Sequence, residues 1–186
     1  MASTYPLHVA GLTRELPICR VSDELYIGAF VIFGDVELTE CCARELLKRA
    51  PEYDVLITAE SKGIPLAYEM ARQAGVNRYL IARKVPKLYM KQVFSVRVNS
   101  ITTAKEQMLC IDQEDADFMR GKRVLIVDDV ISTGESLKAV ETLVEEAGGN
   151  IVGRMAILAE GDAQARKDII YLEKLPLFNA DGTVKG

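Results

Sequence analysis

The residues best suited to chemistry follow the most apolar run of the chain. Arg123 to Val127 (RVLIV) leads into Asp128-Asp129-Val130-Ile131-Ser132-Thr133-Gly134-Glu135-Ser136. Each feature has an ordinary explanation, since acids can end a strand and Ser132, Thr133 or Ser136 can cap the helix that follows. Together they describe more. Small hydroxyl residues and a glycine ahead of a helix let several backbone N–H groups converge on a phosphate, assisted by the helix dipole. Two carboxylates directly upstream would repel that phosphate, so they must face groups that donate hydrogen bonds. Vicinal sugar hydroxyls meet this requirement, and the segment reads as a cradle for a ribose 5-phosphate.

Two other segments carry polar or cationic groups. Glu60-Ser61-Lys62-Gly63-Ile64 places a hydroxyl and a glycine ahead of a helical pattern, which is either a cap or a second anion loop. From Arg78 to Lys105 there are seven basic residues, at 78, 83, 84, 87, 91, 97 and 105, and no acid. A solvated basic face or a weak nucleic-acid patch is the plain alternative to an anion-binding loop there.

Other chemistries are excluded by what the chain lacks. The sole histidine, His8, lies near the N-terminus, where a solvated terminal residue is expected, and no G-x-S-x-G turn accompanies it. Cys19, Cys41, Cys42 and Cys110 show no C-x-x-C spacing and read as reduced, mostly buried thiols. A net charge of −4 argues against a dedicated nucleic-acid or polybasic membrane binder, and 49% hydrophobic residues exclude wholesale disorder. The start MASTYPLHVAGLTREL lacks the features of a signal peptide, and no apolar run is long enough to span a bilayer. The expectation is a cytoplasmic protein, with 186 residues forming a single domain.

The elements that must position these residues follow from periodicity. Asp54 to Ala59, Tyr79 to Ala82, Arg123 to Val127 and Ile151 to Leu158 read as buried strands. Ile64, Ala67, Ala71 and Ala74 fall at helical spacing before Gly75, as do Leu137, Val140, Leu143, Val144 and Ala147 before Gly148-Gly149. Alternating strand and helix implies an α/β fold with right-handed crossovers and a parallel sheet covered on both faces. Ligands then gather beyond Ala59, Ala82 and Val127, at the carboxyl ends of the strands. Phe94, Val96 and Val98 alternate with polar residues, and Met108 to Ile111 can pair back in an antiparallel excursion. Lys84 to Gln92 reads as a mobile loop.

VLIVDDVISTGES resembles the phosphoribosyl diphosphate (PRPP) motif of the type I phosphoribosyltransferases. The resemblance implies their Rossmann-like fold, with a small hood from about residues 1–35 and the C-terminal tail, and a core over 36–172. It assigns Asp128 and Asp129 to the ribose hydroxyls, and Ser132, Thr133, Gly134, Glu135 and Ser136 to the 5-phosphate. Glu135 departs from the glycine frequent at its position, so its carboxylate must point away from the phosphate. Glu60, Ser61, Lys62 and Gly63 match the pyrophosphate loop, D-S-R-G-F in adenine enzymes and E-S-S-G-I in xanthine enzymes. Arg83, Lys84 and Lys87 match an R-K-x-x-K-L stretch that serves the leaving group.

The implied reaction joins a purine ring nitrogen to C1 of PRPP and releases pyrophosphate through an oxocarbenium-like transition state. Asp129, Arg83 and Lys87 are the implied catalytic residues. Magnesium would accompany PRPP and meet Asp128 and Asp129 through water. The base is expected near Val130 and Ile131, under a hood of Leu25 to Phe33 with Phe30 or Phe33 stacking and Leu175 to Asn179 completing it. Plain core packing is the alternative for either phenylalanine.

A homodimer is implied as well, with PRPP and a purine base as partners and nucleic acid not expected as one. Adenine is the base the resemblance favours. However, Ile101 to Ala104 stand where adenine enzymes carry an L-E-Y-G-like glutamate, with Glu106 nearby but shifted, and Val98 to Thr102 match the xanthine enzymes as well. A xanthine or other 6-oxopurine enzyme is thus an alternative, and so is a PRPP-binding regulator without turnover. A P-loop or G-x-G-x-x-G nucleotide binder is excluded, because neither motif is present.

Overall fold

In the computed structural model, residues 4–99 and 106–185 are described. Their centre is a five-stranded, all-parallel sheet with strand order β10-β9-β8-β4-β5. The strands are β4 (Val55–Ala59), β5 (Leu80–Ala82), β8 (Arg123–Ile131), β9 (Asn150–Glu160) and β10 (Ile170–Leu175). VLITA, RVLIV and MAILA are apolar without alternation because both faces of this sheet are covered.

One face packs against α4 (Glu135–Glu146), α3 (Gln113–Met119) and the hairpin β6 (Val93–Asn99) and β7 (Glu106–Asp112). The other packs against α1 (Val36–Leu47), α2 (Ile64–Gln73) and an antiparallel sheet near the N-terminus. Alternation along β8 serves both faces: Val124 and Ile126 enter the first core, while Leu125 and Val127 enter the second.

The antiparallel sheet has the order β1-β2-β3-β11. It consists of β1 (Thr4–Val9), β2 (Leu12–Arg20), β3 (Tyr26–Gly28) and β11 (Leu177–Phe178). The tail returns to it through the pairs Leu177 with Ile27 and Phe178 with Tyr26. Arg14 on β2 ties it to the core by pairing with Asp35, which also caps α1 by accepting from the Leu38 N–H at 3.0 Å. His8 belongs to β1, and its Nδ1 meets Thr13 Oγ1 across the hairpin at 2.8 Å.

The strand expectations hold, with one difference. β8 does not stop at Val127 but runs through both acids to Ile131, because its register with β9 continues through Asp128–Ala156 and Ile131–Ala159. The acidic pair therefore sits on a rigid strand end and not in a loop. The helices fall at α2 and α4, and α4 ends at Gly148 (φ +81°), where the Gly149 N–H closes onto Val144 O at 2.9 Å. Lys84 to Gln92 contains no helix or strand, and β6 pairs with β7 as the alternation implies. The comparison drawn at Ile101 to Ala104 falls outside the described residues.

The strand order has a consequence for function. β4 connects through α2 to β5 on one side, whereas β8 connects through α4 to β9 on the other. Adjacent strands whose connections leave in opposite directions open a crevice at their carboxyl ends, the usual ligand position in such sheets.

Candidate active site

The segments after β4 and β8 meet in that crevice because of how closely their backbones approach. A Cβ on Gly63 would stand 2.2 Å from Thr58 Oγ1 and 3.2 Å from Asp128 Oδ1. No side chain fits there, so glycine is required by space and not by its φ of −71°. α2 starts at this glycine with no side-chain cap, but its first amides are not free for a ligand: the Ile64 N–H donates to Ser61 O at 3.2 Å and Pro65 carries no N–H.

Asp129 is 3% exposed, and its Oδ2 lies 3.1 Å from Lys62 Nζ, although the two are not aligned for a hydrogen bond. Asp128 accepts the Asp129 N–H at 2.8 Å. Burial, followed by the neighbouring Asp129 charge, pushes the Asp128 carboxyl well above the usual carboxylate range. Lys62, matched in sequence to the pyrophosphate loop, is thus placed within reach of the acidic pair.

The third strand end is organised by a carboxylate. The register Ala59–Ala82 sets Glu60 beside Arg83, and the Glu60 N–H donates to Ala82 O at 2.8 Å. Glu60 Oε1 lies 3.2 Å from Arg83 Nη1 and 3.4 Å from Lys87 Nζ, while Oε2 accepts the Lys84 N–H at 3.2 Å. Burial works to raise the Glu60 carboxyl, but the Lys84 N–H, Lys87 and Arg83 together hold it below its usual value. Arg83 is fixed from the other side by paired backbone hydrogen bonds with Cys110, both 2.8 Å. Arg83 and Lys87 therefore converge, as their spacing suggests, around a carboxylate that would itself repel a diphosphate. Arg78, counted in the same basic run, is bound elsewhere by Asp115 at 2.6 Å.

The loop after β8 has the form expected of an anion cradle. Gly134 is the N-cap of α4 at φ +81°, and no side chain caps the helix. Of the hydroxyls that could have done so, Thr133 accepts only a long contact from the Glu135 N–H, at 3.4 Å. Apart from that contact, no side chain caps the amides at the start of α4.

Beside this loop a cleft of about 350 Å3 opens under the antiparallel sheet. Val21, Leu25, Ile27 and Leu177 form one wall, and Ser132, Thr133, Glu160, Gly161 and Asp162 the other. Burial raises the Glu160 carboxyl, partly opposed by Lys62. Phe30 and Ile131 are not in this wall: both are buried in the apolar cores, and Val130 packs against one of them. Phe33 is 50% exposed.

Sequence reasoning placed Leu25, Ile27 and Leu177 in hood segments and Ser132 and Thr133 in the phosphate loop, and missed Val21, Glu160, Gly161 and Asp162. Ile27 and Leu177 become neighbours only through the β3–β11 pairing, which joins segments far apart in sequence. Glu160 carried a signal, as an acid at the carboxyl end of a strand in a parallel sheet.

The phosphoribosyl transferase domain family matches residues 40–180. This chain belongs to the phosphoribosyltransferase family. It is 35% identical to an adenine phosphoribosyltransferase of Cenarchaeum symbiosum over 131 residues, 69% of this chain and 73% of that protein. It is 30% identical to an orotate phosphoribosyltransferase of Caldanaerobacter subterraneus over 143 residues, spanning 76% of this chain but only 64% of that relative. The crystal structure of adenine phosphoribosyltransferase from Rhodothermus marinus shares the fold, with a TM-score of 0.66 at 22% identity, covering 92% of this chain and 94% of that one.

Gly63→Ala is expected to cost about 1–3 kcal/mol through overpacking against Thr58, read as a lowered urea midpoint. An unchanged midpoint would mean that the close approach is not required. Asp128 gives a pH test. A carboxyl raised in the native state binds its proton more tightly folded than unfolded, so stability falls as pH rises from the unfolded value of about 3.9 through the raised native one. Asp128→Asn should therefore be more stable than the parent at pH 8 and lose that advantage towards pH 4, in urea titrations at each pH.

Proposed function

We propose that the protein is a purine phosphoribosyltransferase of nucleotide salvage. It would convert a purine base, with adenine as the leading candidate, and PRPP into the nucleoside 5-monophosphate and pyrophosphate. The observation that carries this reading is the convergence of three complementary surfaces in one crevice: the buried acidic pair, the uncapped start of α4, and the cations gathered at Glu60.

In this reading Asp128 and Asp129 accept hydrogen bonds from the ribose hydroxyls. The amides and hydroxyls of residues 132–136 hold the 5-phosphate. Arg83, Lys84, Lys87 and Lys62 face the diphosphate and stabilise the charge that develops on it as the bond to C1 breaks. The base occupies the cleft between Ile27 and Glu160, close to the loop that fixes the ribose. No side chain acts as a covalent nucleophile, and rate acceleration comes from orientation and fixed charge.

The donor set suits magnesium carried by its substrate. Among the described residues no group of three or more His, Cys, Asp or Glu forms a metal cage. The Asp128–Asp129 pair would instead reach a hydrated ion, which would neutralise diphosphate charge when bound with PRPP.

Adenine is supported by the adenine-specific names among the relatives and by the acidic cleft wall, which accepts hydrogen bonds from an exocyclic amine. A 6-oxopurine is the second reading, favoured by Glu60-Ser61-Lys62-Gly63-Ile64, whose first residue matches the xanthine enzymes. All four cysteines are free thiols, which suits a reducing cytoplasm. No described helix is long and apolar enough to cross a membrane.

With PRPP, magnesium and a panel of adenine, hypoxanthine, guanine, xanthine, uracil and orotate, pyrophosphate release is expected for a purine, adenine fastest. Asp128→Asn combined with Asp129→Asn should abolish it while preserving the fold by circular dichroism. Retained PRPP binding without release for any base would identify a regulator instead. The chain is also expected to pair, since Val36 (76% exposed) and Tyr68 (55%) line one mostly apolar recess formed with residues of α1 and α2. Light scattering at micromolar concentration should give twice the 20.6 kDa chain mass, and a monomer mass would refute pairing.

A further inference from the structure

The loop that follows β9 brings one more cation to the crevice. A short 3-10 helix, Gly161–Ala165, turns the chain back, and the Arg166 N–H closes it onto Ala163 O at 3.1 Å. Asp168 then grips the Arg166 side chain by two contacts: Nε to Oδ1 at 2.9 Å and Nη2 to Oδ2 at 2.7 Å. A planar guanidinium held by this edge has a fixed direction. Its remaining nitrogen, Nη1, has no hydrogen-bond partner among the described residues and lies 2.7 Å from the point where a Cβ on Gly134 would stand. The free edge is thus in contact with the backbone of the loop proposed above to hold the 5-phosphate.

Two features of the loop call for such a group. Gly134 is the left-handed N-cap of α4 and its Cβ position is occupied by the guanidinium, so no side chain can come between Arg166 and the loop. Helix amides alone carry about half a positive charge, so a neighbouring full cation changes the balance there. The side chain of Arg166 is only 31% exposed, so solvent screens it less than it would a free surface arginine.

We infer that Arg166, held in place by Asp168, is a cation of the 5-phosphate site that stabilises the phosphate across Gly134. This rests on the phosphoribosyltransferase reading of the loop. It adds a residue outside the sequence motif, 30 positions beyond Ser136, from a segment shared with the base cleft. The same short turn would then sense the base through Glu160 to Asp162 and the phosphate through Arg166.

The test separates the two ends of PRPP. Ribose 5-phosphate and pyrophosphate are titrated separately by calorimetry, against the parent chain, Arg166→Gln, Arg166→Lys and Asp168→Asn. Arg166→Gln is expected to weaken ribose 5-phosphate about 10- to 100-fold, the size of one charge-assisted hydrogen bond, and to leave pyrophosphate within about twofold, on the scale of the ±0.5 kcal/mol of a distant substitution. Arg166→Lys should recover part of the loss. Asp168→Asn, which frees the guanidinium without removing its charge, should cause a smaller loss. The dependence of ribose 5-phosphate affinity on salt should become shallower in Arg166→Gln.

Unchanged ribose 5-phosphate affinity in Arg166→Gln, or equal weakening of both ligands, would overturn the inference and leave the enzyme reading intact. If Arg166→Gln does not fold, Asp168→Asn decides, and parental affinity in that variant refutes the role. A parent chain that binds neither ligand would overturn both the inference and the reading beneath it.

Discussion

Two adjacent carboxylates at the buried end of a central strand impose the main electrostatic constraint on this molecule. Like charges this close disfavour each other, and burial removes the water that would screen them. Much of the surrounding structure answers that problem. The Asp129 amide donates to Asp128, and Lys62 is brought to 3.1 Å from the second acid. Lys62 can reach this position only because Gly63 lets the loop after β4 lie against Thr58 and Asp128. A stability maximum would be reached more simply by replacing one acid, so retention of both is a structural reason to regard the strand end as a binding surface.

Glu60 solves the complementary problem of holding positive charges together. Arg83 and Lys87 repel each other, and each is long enough to remain in solvent. The carboxylate between them offsets the repulsion and reduces the freedom of both side chains, while the β4–β5 register and the Cys110 bridge set where it stands. An acid in a loop that faces a polyanion is therefore consistent with the chemistry. It organises the cations, and a ligand with several negative charges can draw them away from it. The crevice is preorganised in the sense that its fixed charges are placed by backbone pairing before any ligand enters.

The parallel sheet and its crevice were legible in the sequence because apolar runs without alternation, each followed by a helical stripe, have few other solutions. Asp128 to Ser136 could be assigned to one site for the same local reason, since acids, hydroxyls and glycine adjoin in the chain. Two features were not legible, the reach of β8 and the placing of Arg166. β8 extends through the acids because β9 supplies hydrogen-bond partners that far, which is a property of the neighbour and not of RVLIV itself. Phe30 offered stacking or plain core packing, and the second core claims it. Arg166 carries no local signal at all, and Ile27 has only its place in the Leu25 to Phe33 hood segment. Their positions are set by chain reversal at Gly161–Ala165 and by the return of the tail to β3.

Charge distribution connects these points. Seven basic residues between Arg78 and Lys105 suggest a single positive surface within a chain of net charge −4, but the fold divides them. Arg78 binds Asp115 on α3, on the side of the sheet that carries α4, whereas Arg83 and Lys87 turn to Glu60. The cations that reach the crevice come instead from three separate turns, after β4, β5 and β9, and each except Lys84 lies beside an acid: Lys62 with Asp129, Arg83 and Lys87 with Glu60, Arg166 with Asp168. Such pairing keeps the site near neutrality without a ligand, which limits self-repulsion in the folded state. It also means that a polyanion must compete with Asp129 for Lys62 and with Glu60 for Arg83 and Lys87, whereas Arg166 keeps Nη1 free of Asp168. An anion that engages only one of these cations gains little against the carboxylate it displaces.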